Sequence, residues 1–315
     1  MTSPDQTQPS RGLYRFAFVT SVCTVLLLLA GALVTNNEAG DSVPDWPLAY
    51  GRLIPPMVGG TRFEYSHRVI AGIVAVLTLV LAIWIARSDR RPLARRLGWN
   101  ALALVVAQAI LGAIRVLMGN PALSATVHAT LAQLFFVTIV GLTLYLSPWW
   151  QRDLPQLADS GSPSVRSLTS WTSVAIVVQI LLGAALRHGA LGLTPHVAGA
   201  CVVTVLVFWA GRSVKKRFRE VRDLRRGVAL LHSFYGIQVL LGLAAWWAMT
   251  NTQNFVEPVT LLVGVMVAHV LGGALALASS VLLTMTCFRL TGPAALAAAH
   301  APAHSPSHSA GGTGV

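Results

Sequence analysis

Eight apolar stretches, each about twenty residues long, limit what this chain can fold into. A helix of that length spans the roughly 30 Å hydrocarbon core of a bilayer at about 1.5 Å per residue. Of the 315 residues, 54% are hydrophobic and only 11% are charged, which excludes an ordinary soluble domain. We therefore predict an all-α membrane protein with eight transmembrane helices. The stretches lie at about 14–35, 66–86, 98–117, 124–146, 168–187, 195–211, 228–249 and 259–287.

The basic residues indicate the orientation of these helices, because cytoplasmic loops retain Lys and Arg during insertion. With the N-terminus inside, 18 of the 23 basic residues fall on the inner side, so both termini are predicted to be cytoplasmic. The net charge of +12 is then a topology signal rather than a sign of nucleic-acid binding, and the basic segment 212–226 is predicted to be an inner loop beside anionic lipid. The five outer residues are Arg52, Arg62, Arg68, Arg115 and Arg187.

The chain is predicted to consist of two four-helix halves with flanking segments. The first stretch is too long for a signal-peptide core and precedes no clear cleavage site, so it is interpreted as helix one. The C-terminal segment is rich in Ala, Pro, His, Ser and Gly and is predicted to be disordered, with weak metal binding by its histidines as the alternative. The parts are a cytoplasmic tail (1–13), the N-terminal half (14–146), a cytoplasmic linker (147–167), the C-terminal half (168–288) and the disordered tail (289–315).

An internal repeat underlies this division. A Gln followed four residues later by Gly recurs in the third, fifth and seventh stretches, at Gln108, Gln179 and Gln238, and a fainter copy in the first ends at Gly31. The even-numbered stretches each carry a histidine. When stretches one to four are aligned with stretches five to eight, the first histidine corresponds to the third and the second to the fourth. This correspondence predicts two pseudo-symmetric four-helix bundles. These histidines are His67, His128, His196 and His269.

A histidine inside a bilayer is costly unless it handles a ligand, an ion or a proton. In the predicted topology all four lie in the outer half of the membrane. Two imidazoles on neighbouring helices at similar depth can hold a haem iron from both faces, and a four-helix bundle has room for one such group. We therefore predict two haem sites with these histidines as axial ligands. Small residues nearby would let a flat macrocycle approach the backbone: Ala71, Gly72, Ala198, Gly199, Gly272 and Gly273.

Two further histidines do not fit the repeat. His232 has no counterpart and lies at the opposite depth, so it is interpreted as an interfacial or hydrogen-bonded residue. His188 follows the fifth stretch and is interpreted as a solvated loop residue, with a place at the edge of a cofactor as the alternative.

The two halves differ at one acidic position. The segment 63–68 reads Phe-Glu-Tyr-Ser-His-Arg, which places Glu64 three residues before His67 and on the same helix face. No acid precedes His196, so the N-terminal half is the better candidate for chemistry, where a carboxylate can move a proton or stabilise a developing cation. Arg68 is available for a haem propionate. The alternative for Glu64 is an acid favoured by the helix dipole.

With these residues, the chain resembles the haem A synthase family over nearly all of residues 12–290. The resemblance rests on the Pro44-Asp45-Trp46-Pro47 phrase of a long outer loop, on Glu64-Tyr65-Ser66-His67-Arg68, and on the three later histidines. It implies an oxidoreductase that converts the C8 methyl of haem O to the formyl of haem A by successive hydroxylations, for the biogenesis of haem-copper oxidases. His67 and His128 would hold the substrate haem, His196 and His269 a haem b cofactor, and Glu64 would be catalytic.

The resemblance also implies a location and partners. It predicts a multi-pass protein of the bacterial inner membrane that receives haem O from a haem O synthase and electrons from an external donor, because the chain has no flavin, nicotinamide or iron-sulfur motif. A homo-oligomer stays open. Many family members carry two cysteines in the first outer loop, whereas 36–62 contains none here, so no thiol of that loop can act.

Two rival classes remain at this point. A di-haem b-type electron-transfer protein would use the same histidines without a carboxylate beside one haem. A transporter would have repeats too, but it would have helices broken at the membrane midplane and would bind no haem.

Overall fold

The computed structural model describes residues 11–252 and 259–293, and the described chain forms eight α-helices and one pair of very short strands. All eight helices are long and apolar enough to cross a bilayer, as the sequence predicted. The helices are α1 (Arg11–Asn36), α2 (Thr61–Ser88), α3 (Pro92–Leu117), α4 (Ala122–Leu146), α5 (Val165–Arg187), α6 (Leu193–Arg217), α7 (Arg222–Asn251) and α8 (Thr260–Leu290), and the strands are β1 (Leu157–Ala158) and β2 (Thr291–Gly292).

Several helices extend beyond the apolar stretches that predicted them. The basic segment 212–226 was expected to be a loop, but α6 continues to Arg217 and α7 begins at Arg222, which leaves only 218–221 between them. Lys, Arg and Glu are good helix formers, so the helices continue after the apolar sequence has ended.

Helix packing forms two hydrophobic clusters. Buried residues of α1–α4, such as Leu81 and Leu142, form one, and buried residues of α5–α8, such as Val207 and Leu277, form the other. A smaller cluster contains Leu28 of α1, Phe136 of α4 and Ala274 of α8, so it joins the two groups of helices. Within the described residues each helix is continuous along its length.

The linker between α4 and α5 is ordered and binds other elements at the same end of the molecule. Its strand β1 pairs in parallel with β2, which directly follows α8. Asp159 forms an ion pair with Arg217 at the end of α6, and the indole of Trp149 donates a 3.0 Å hydrogen bond to Asp223 near the start of α7. Residues 289–292 were expected to belong to a disordered tail, but α8 continues to Leu290, and Thr291 and Gly292 are buried in β2. The histidines at 300, 304 and 308 lie outside the described residues.

The turn between α2 and α3 is organised by a fully buried carboxylate. Asp89 accepts hydrogen bonds from the Arg91 main chain (2.9 Å) and from Arg91 Nη2 (2.6 Å), and its own carbonyl accepts one from Arg95 Nε (2.7 Å). The Arg91 guanidinium also lies over the ring of Tyr145, which ties the turn to α4. The ionic group thus joins three helices at this end of the bundle.

We expect Asp89→Ala to destabilise the protein by about 3 kcal/mol, because it removes one partner of a buried ion pair and strands the Arg91 donors. The measurement is the apparent melting temperature of the detergent-purified protein. Asp153→Ala, at an exposed position of the linker, is the matched control and should leave the melting temperature unchanged. Equal melting temperatures of the two variants would contradict a stabilising role for the Asp89–Arg91 ion pair.

Candidate haem site

Each of the four repeat histidines packs its ring against a glycine of the preceding helix. The glycines are those of the recurring phrase, so the structure gives the repeat a physical meaning: a side chain at these positions would occupy the space of an imidazole. A β-carbon built at Gly31, Gly112, Gly183 and Gly242 would lie 3.1, 3.7, 2.9 and 3.1 Å from Cε1 of His67, His128, His196 and His269 respectively.

The glutamine of the phrase contacts the same histidine. Gln179 Nε2 donates to the main-chain oxygen of His196 (2.8 Å) and lies 3.1 Å from its Nδ1. Gln108 Nε2 donates to the main-chain oxygen of His128 (3.1 Å). Because the glutamine and the glycine are one turn apart, the pair fixes both the height and the tilt of the ring on the next helix.

Gln238 of α7 contacts its histidine at a different ring nitrogen from Gln179. Gln238 Nε2 lies 3.2 Å from Nε2 of His269, so a metal bond at this nitrogen requires the amide to turn away. Two glycines expected to face a macrocycle instead accommodate these glutamines, since a β-carbon at Gly199 or Gly272 would lie 2.2 or 2.5 Å from Oε1 of Gln179 or Gln238.

The C-terminal pair of histidines is close in space. The ring centroids of His196 and His269 are 6.3 Å apart, and the planes are inclined by 74°. Two imidazoles that bind one metal from opposite sides have centroids roughly 6 Å apart, given a bond of about 2 Å to each ring nitrogen. The spacing is therefore compatible with a shared iron.

The two histidines of the N-terminal pair, His67 and His128, lie close enough to interact electrostatically. Nδ1 of His67, His128 and His269 is buried and has no hydrogen-bond partner within 11–252 and 259–293, which is uncommon for a ring nitrogen inside a protein. Among the described residues no cluster of three or more His, Cys, Asp or Glu side chains is arranged to hold a metal ion. Two imidazoles alone make a poor metal site, but they fit a haem, whose iron receives four further ligands from the porphyrin.

Glu64 and Arg68 hold the outer loop. Glu64 is 4% exposed, and its two oxygens accept hydrogen bonds from Arg68 Nη2 (2.5 Å) and from the main chain of Val43 (2.9 Å). The Arg68 guanidinium also donates to the carbonyls of Val43 (3.3 Å), Asp45 (2.7 Å) and Leu48 (3.1 Å). A propionate contact, expected for Arg68, would have to displace these loop carbonyls.

The Pro-Asp-Trp-Pro phrase forms a tight turn in this loop. The Asp45 carboxylate accepts hydrogen bonds from the main chain of Tyr50 (2.6 Å) and Gly51 (2.7 Å). The Gly51 hydrogen bond is the main cause that holds the pKa of Asp45 below its ordinary value. Gly51 has a φ of 68°, a left-handed conformation that glycine adopts without strain. The motif thus shapes the loop that Glu64 and Arg68 attach to α2.

Two residues near the N-terminal pair were not predicted to lie there. Arg115, at the end of α3, lies within electrostatic range of both His67 and His128. His188 was expected to be a solvated loop residue, but it is half-buried, and burial together with the charges of Arg115 and Arg187 lowers its pKa to about 4. It lies within electrostatic range of His128, although it follows α5 in the sequence. Only the fold places it there.

His232 lies apart from the four. It packs against Gly211 of α6 and 5.3 Å from the ring of Phe208, with no second histidine nearby among the described residues. This arrangement agrees with a packed residue rather than an axial ligand.

The described chain thus has eight helices long and apolar enough to cross a membrane and one pair of closely spaced histidine rings, His196 and His269. Residues 59–140 match the family model of the cytochrome oxidase assembly protein COX15-CtaA, a range that includes Glu64, His67 and His128. The chain is 33% identical over 181 residues to a haem A synthase of Shouchella clausii. The aligned region covers 56% of this chain and 60% of the relative. It is 34% identical over 138 residues to one from Halalkalibacterium halodurans, covering 42% of this chain and 46% of the relative.

A longer match extends this similarity. A haem A synthase of Symbiobacterium thermophilum is 27% identical over 266 residues, which cover 74% of this chain and 85% of the relative. The matches to the first two relatives cover less than two thirds of those proteins. These similarities support the resemblance to the haem A synthase family that the motifs carry.

We expect Gly183→Ala to reduce the haem content of the C-terminal half, because the new methyl group would lie 2.9 Å from Cε1 of His196 and push the ring aside. The measurement is haem per protein from the visible spectrum of purified protein. Gly236→Ala on α7 is the matched control, since a β-carbon there meets nothing within 4 Å. Equal haem content in the two variants would refute the glycine's role.

We expect Glu64→Ala to release the outer loop, because Val43 and Arg68 lose their acceptor. Amide hydrogen exchange of the segment 39–50 should become faster by about ten-fold, the effect of a hydrogen bond to a charged group of roughly 1.5 kcal/mol. Glu38→Ala, at an exposed position of the same loop, should leave this exchange unchanged.

Proposed function

We propose that this protein is a haem A synthase that oxidises the C8 methyl group of haem O to a formyl group by successive hydroxylations, for the biogenesis of haem-copper oxidases. The observation that carries the proposal is the fourfold contact between a histidine and a glycine, which presents two pairs of imidazoles within one eight-helix chain. Its relatives named as haem A synthases support the same activity.

The two halves have different tasks in this proposal. His196 and His269 hold a haem b cofactor, which supplies one-electron transfer when bound, and their 6.3 Å ring separation supports this role. His67 and His128 hold haem O, because the adjacent Glu64 and outer loop have no counterpart before His196. The helices then form two pseudo-symmetric bundles, 14–146 and 168–288, joined by the linker 147–167.

Glu64 is the proposed catalytic carboxylate. It is buried beside the ligand His67 on α2, and a carboxylate there can accept a proton as the methyl group is oxidised. In the loop-closed arrangement Arg68 and Val43 hold its oxygens, so the loop both excludes water from the pocket and orients the acid.

The location and partners follow from the distribution of charge. The basic helix ends and the linker lie at one end of the molecule, which the positive-inside rule assigns to the cytoplasm together with both termini. We propose the bacterial inner membrane as the location. Haem O synthase supplies the substrate, and an external donor supplies electrons.

The decisive test separates catalysis by Glu64 from anchoring of the loop. Glu64→Gln and Arg68→Gln are each expressed in cells that make haem O, and the haems extracted from purified protein are identified by chromatography. Glu64→Gln should abolish haem A while both haem sites stay filled, whereas Arg68→Gln, which loosens the loop but keeps the acid, should retain part of the activity. Equal loss in both variants would mean that Glu64 acts only through the loop.

Two rival functions make different predictions. A di-haem electron carrier predicts that haem A is never formed and that Glu64→Gln has no effect on function. A transporter predicts broken helices, whereas the described helices are continuous, and it predicts a colourless protein.

A further inference from the structure

Two arginines at helix ends have no counter-ion among the residues that the structure describes. Arg115 at the end of α3 and Arg187 at the end of α5 are both half-buried. In residues 11–252 and 259–293, no carboxylate oxygen lies within 4.0 Å of either guanidinium, although the ion pairs of Arg68, Arg91 and Arg217 are formed. A cation taken out of water is costly unless a negative group neutralises it.

Neutral oxygens hold both guanidinium groups in place. Arg115 donates from Nε (2.8 Å) and Nη2 (2.7 Å) to the Asn120 side chain, at a turn where Asn120 has a φ of 56°. Arg187 donates from Nε to the Asn36 side chain (3.1 Å) and from Nη2 to the Thr35 carbonyl (2.8 Å). These contacts orient the cations without neutralising them. In the described part of the chain, Nη1 of each has no hydrogen bond.

The surroundings connect this cation pair to the first haem site. Arg115 lies within electrostatic range of both His67 and His128, and His188 lies within range of both arginines. The nearest acidic groups, Asp41 and Glu64 for Arg115 and Glu38 for Arg187, are beyond ion-pair distance. The arginines belong to different halves of the sequence, and Arg187 is bonded to the end of α1 in the other half.

We propose that Arg115 and Arg187, with His188 directly after Arg187, bind the propionate carboxylates of the macrocycle held by His67 and His128. This inference rests on the proposed function. A porphyrin of this kind carries its two carboxylates on one edge, and two fixed guanidinium groups with unused donors offer charge-assisted hydrogen bonds to both. Arg68, the residue first expected in this role, is occupied by Glu64 and by loop carbonyls.

The arrangement also makes the substrate site depend on both halves. Arg187 bonds to the end of α1, and His188 follows it directly, so residues of the C-terminal half close the rim of the N-terminal pocket. A single half would have only one of the two cations.

The test compares iron protoporphyrin IX with its dimethyl ester, which lacks the carboxylate charges. Purified full-length protein without haem is titrated with each probe and followed by visible absorbance, and the step abolished by His128→Ala is the first-half site. We expect the diacid to bind there at least roughly ten-fold more tightly than the diester, as charge-assisted hydrogen bonds from arginine require. Arg115→Gln and Arg187→Gln should each remove most of this preference, and Arg115→Lys should retain part of it.

Controls separate this inference from the proposed function and from misfolding. Arg62→Gln, an exposed arginine on the same side, should keep the full preference. The binding step abolished by His269→Ala should be unchanged in the arginine variants, which reports intact folding. Retention of the preference in Arg115→Gln and Arg187→Gln, or equal weakening of diacid and diester, overturns the propionate site alone. Absence of any step sensitive to His128→Ala in the unaltered protein overturns the proposed haem site and this inference with it.

Discussion

The contact between an imidazole and a helix backbone at a glycine is the interaction on which the arrangement of this protein depends. A histidine on a membrane helix must be held at one depth and one tilt if it is to share an iron with another. Bare backbone at Gly183 and Gly242 lets the rings of His196 and His269 approach closely, and Gln179 and Gln238 contact the same rings from one turn away. Packing, rather than a network of charges, therefore positions the ligands.

The outer end of the molecule combines this rigid frame with a loop that is attached by polar contacts. Glu64 and Arg68 use most of their hydrogen-bonding capacity on the loop between α1 and α2, so the acid proposed for chemistry also holds this loop. In the proposed function, one side chain would therefore couple proton transfer to the position of the loop. The asymmetry between the halves follows from this loop, because the second half has no such acid before its first histidine.

Much of the fold was predictable because transmembrane segments follow directly from hydropathy and length. The histidine pairs and the Gln-Gly phrase were visible as a repeat, but the phrase had no physical meaning until Gly31 and its equivalents were found beneath the rings. The proximity of Arg115 to His188 was not predicted, because packing between helices distant in sequence brings them together. The helical continuation through 212–217 was missed because charged residues end an apolar stretch without ending a helix.

The short pairing of β1 with β2 has a consequence for how the chain is assembled. The linker follows α4, and its strand β1 pairs with β2 at the C-terminal end of α8 before the chain enters α5. Because β2 is translated long after β1, the pairing can form only once α8 has been made. The connector between the two groups of helices therefore gains this attachment late in synthesis.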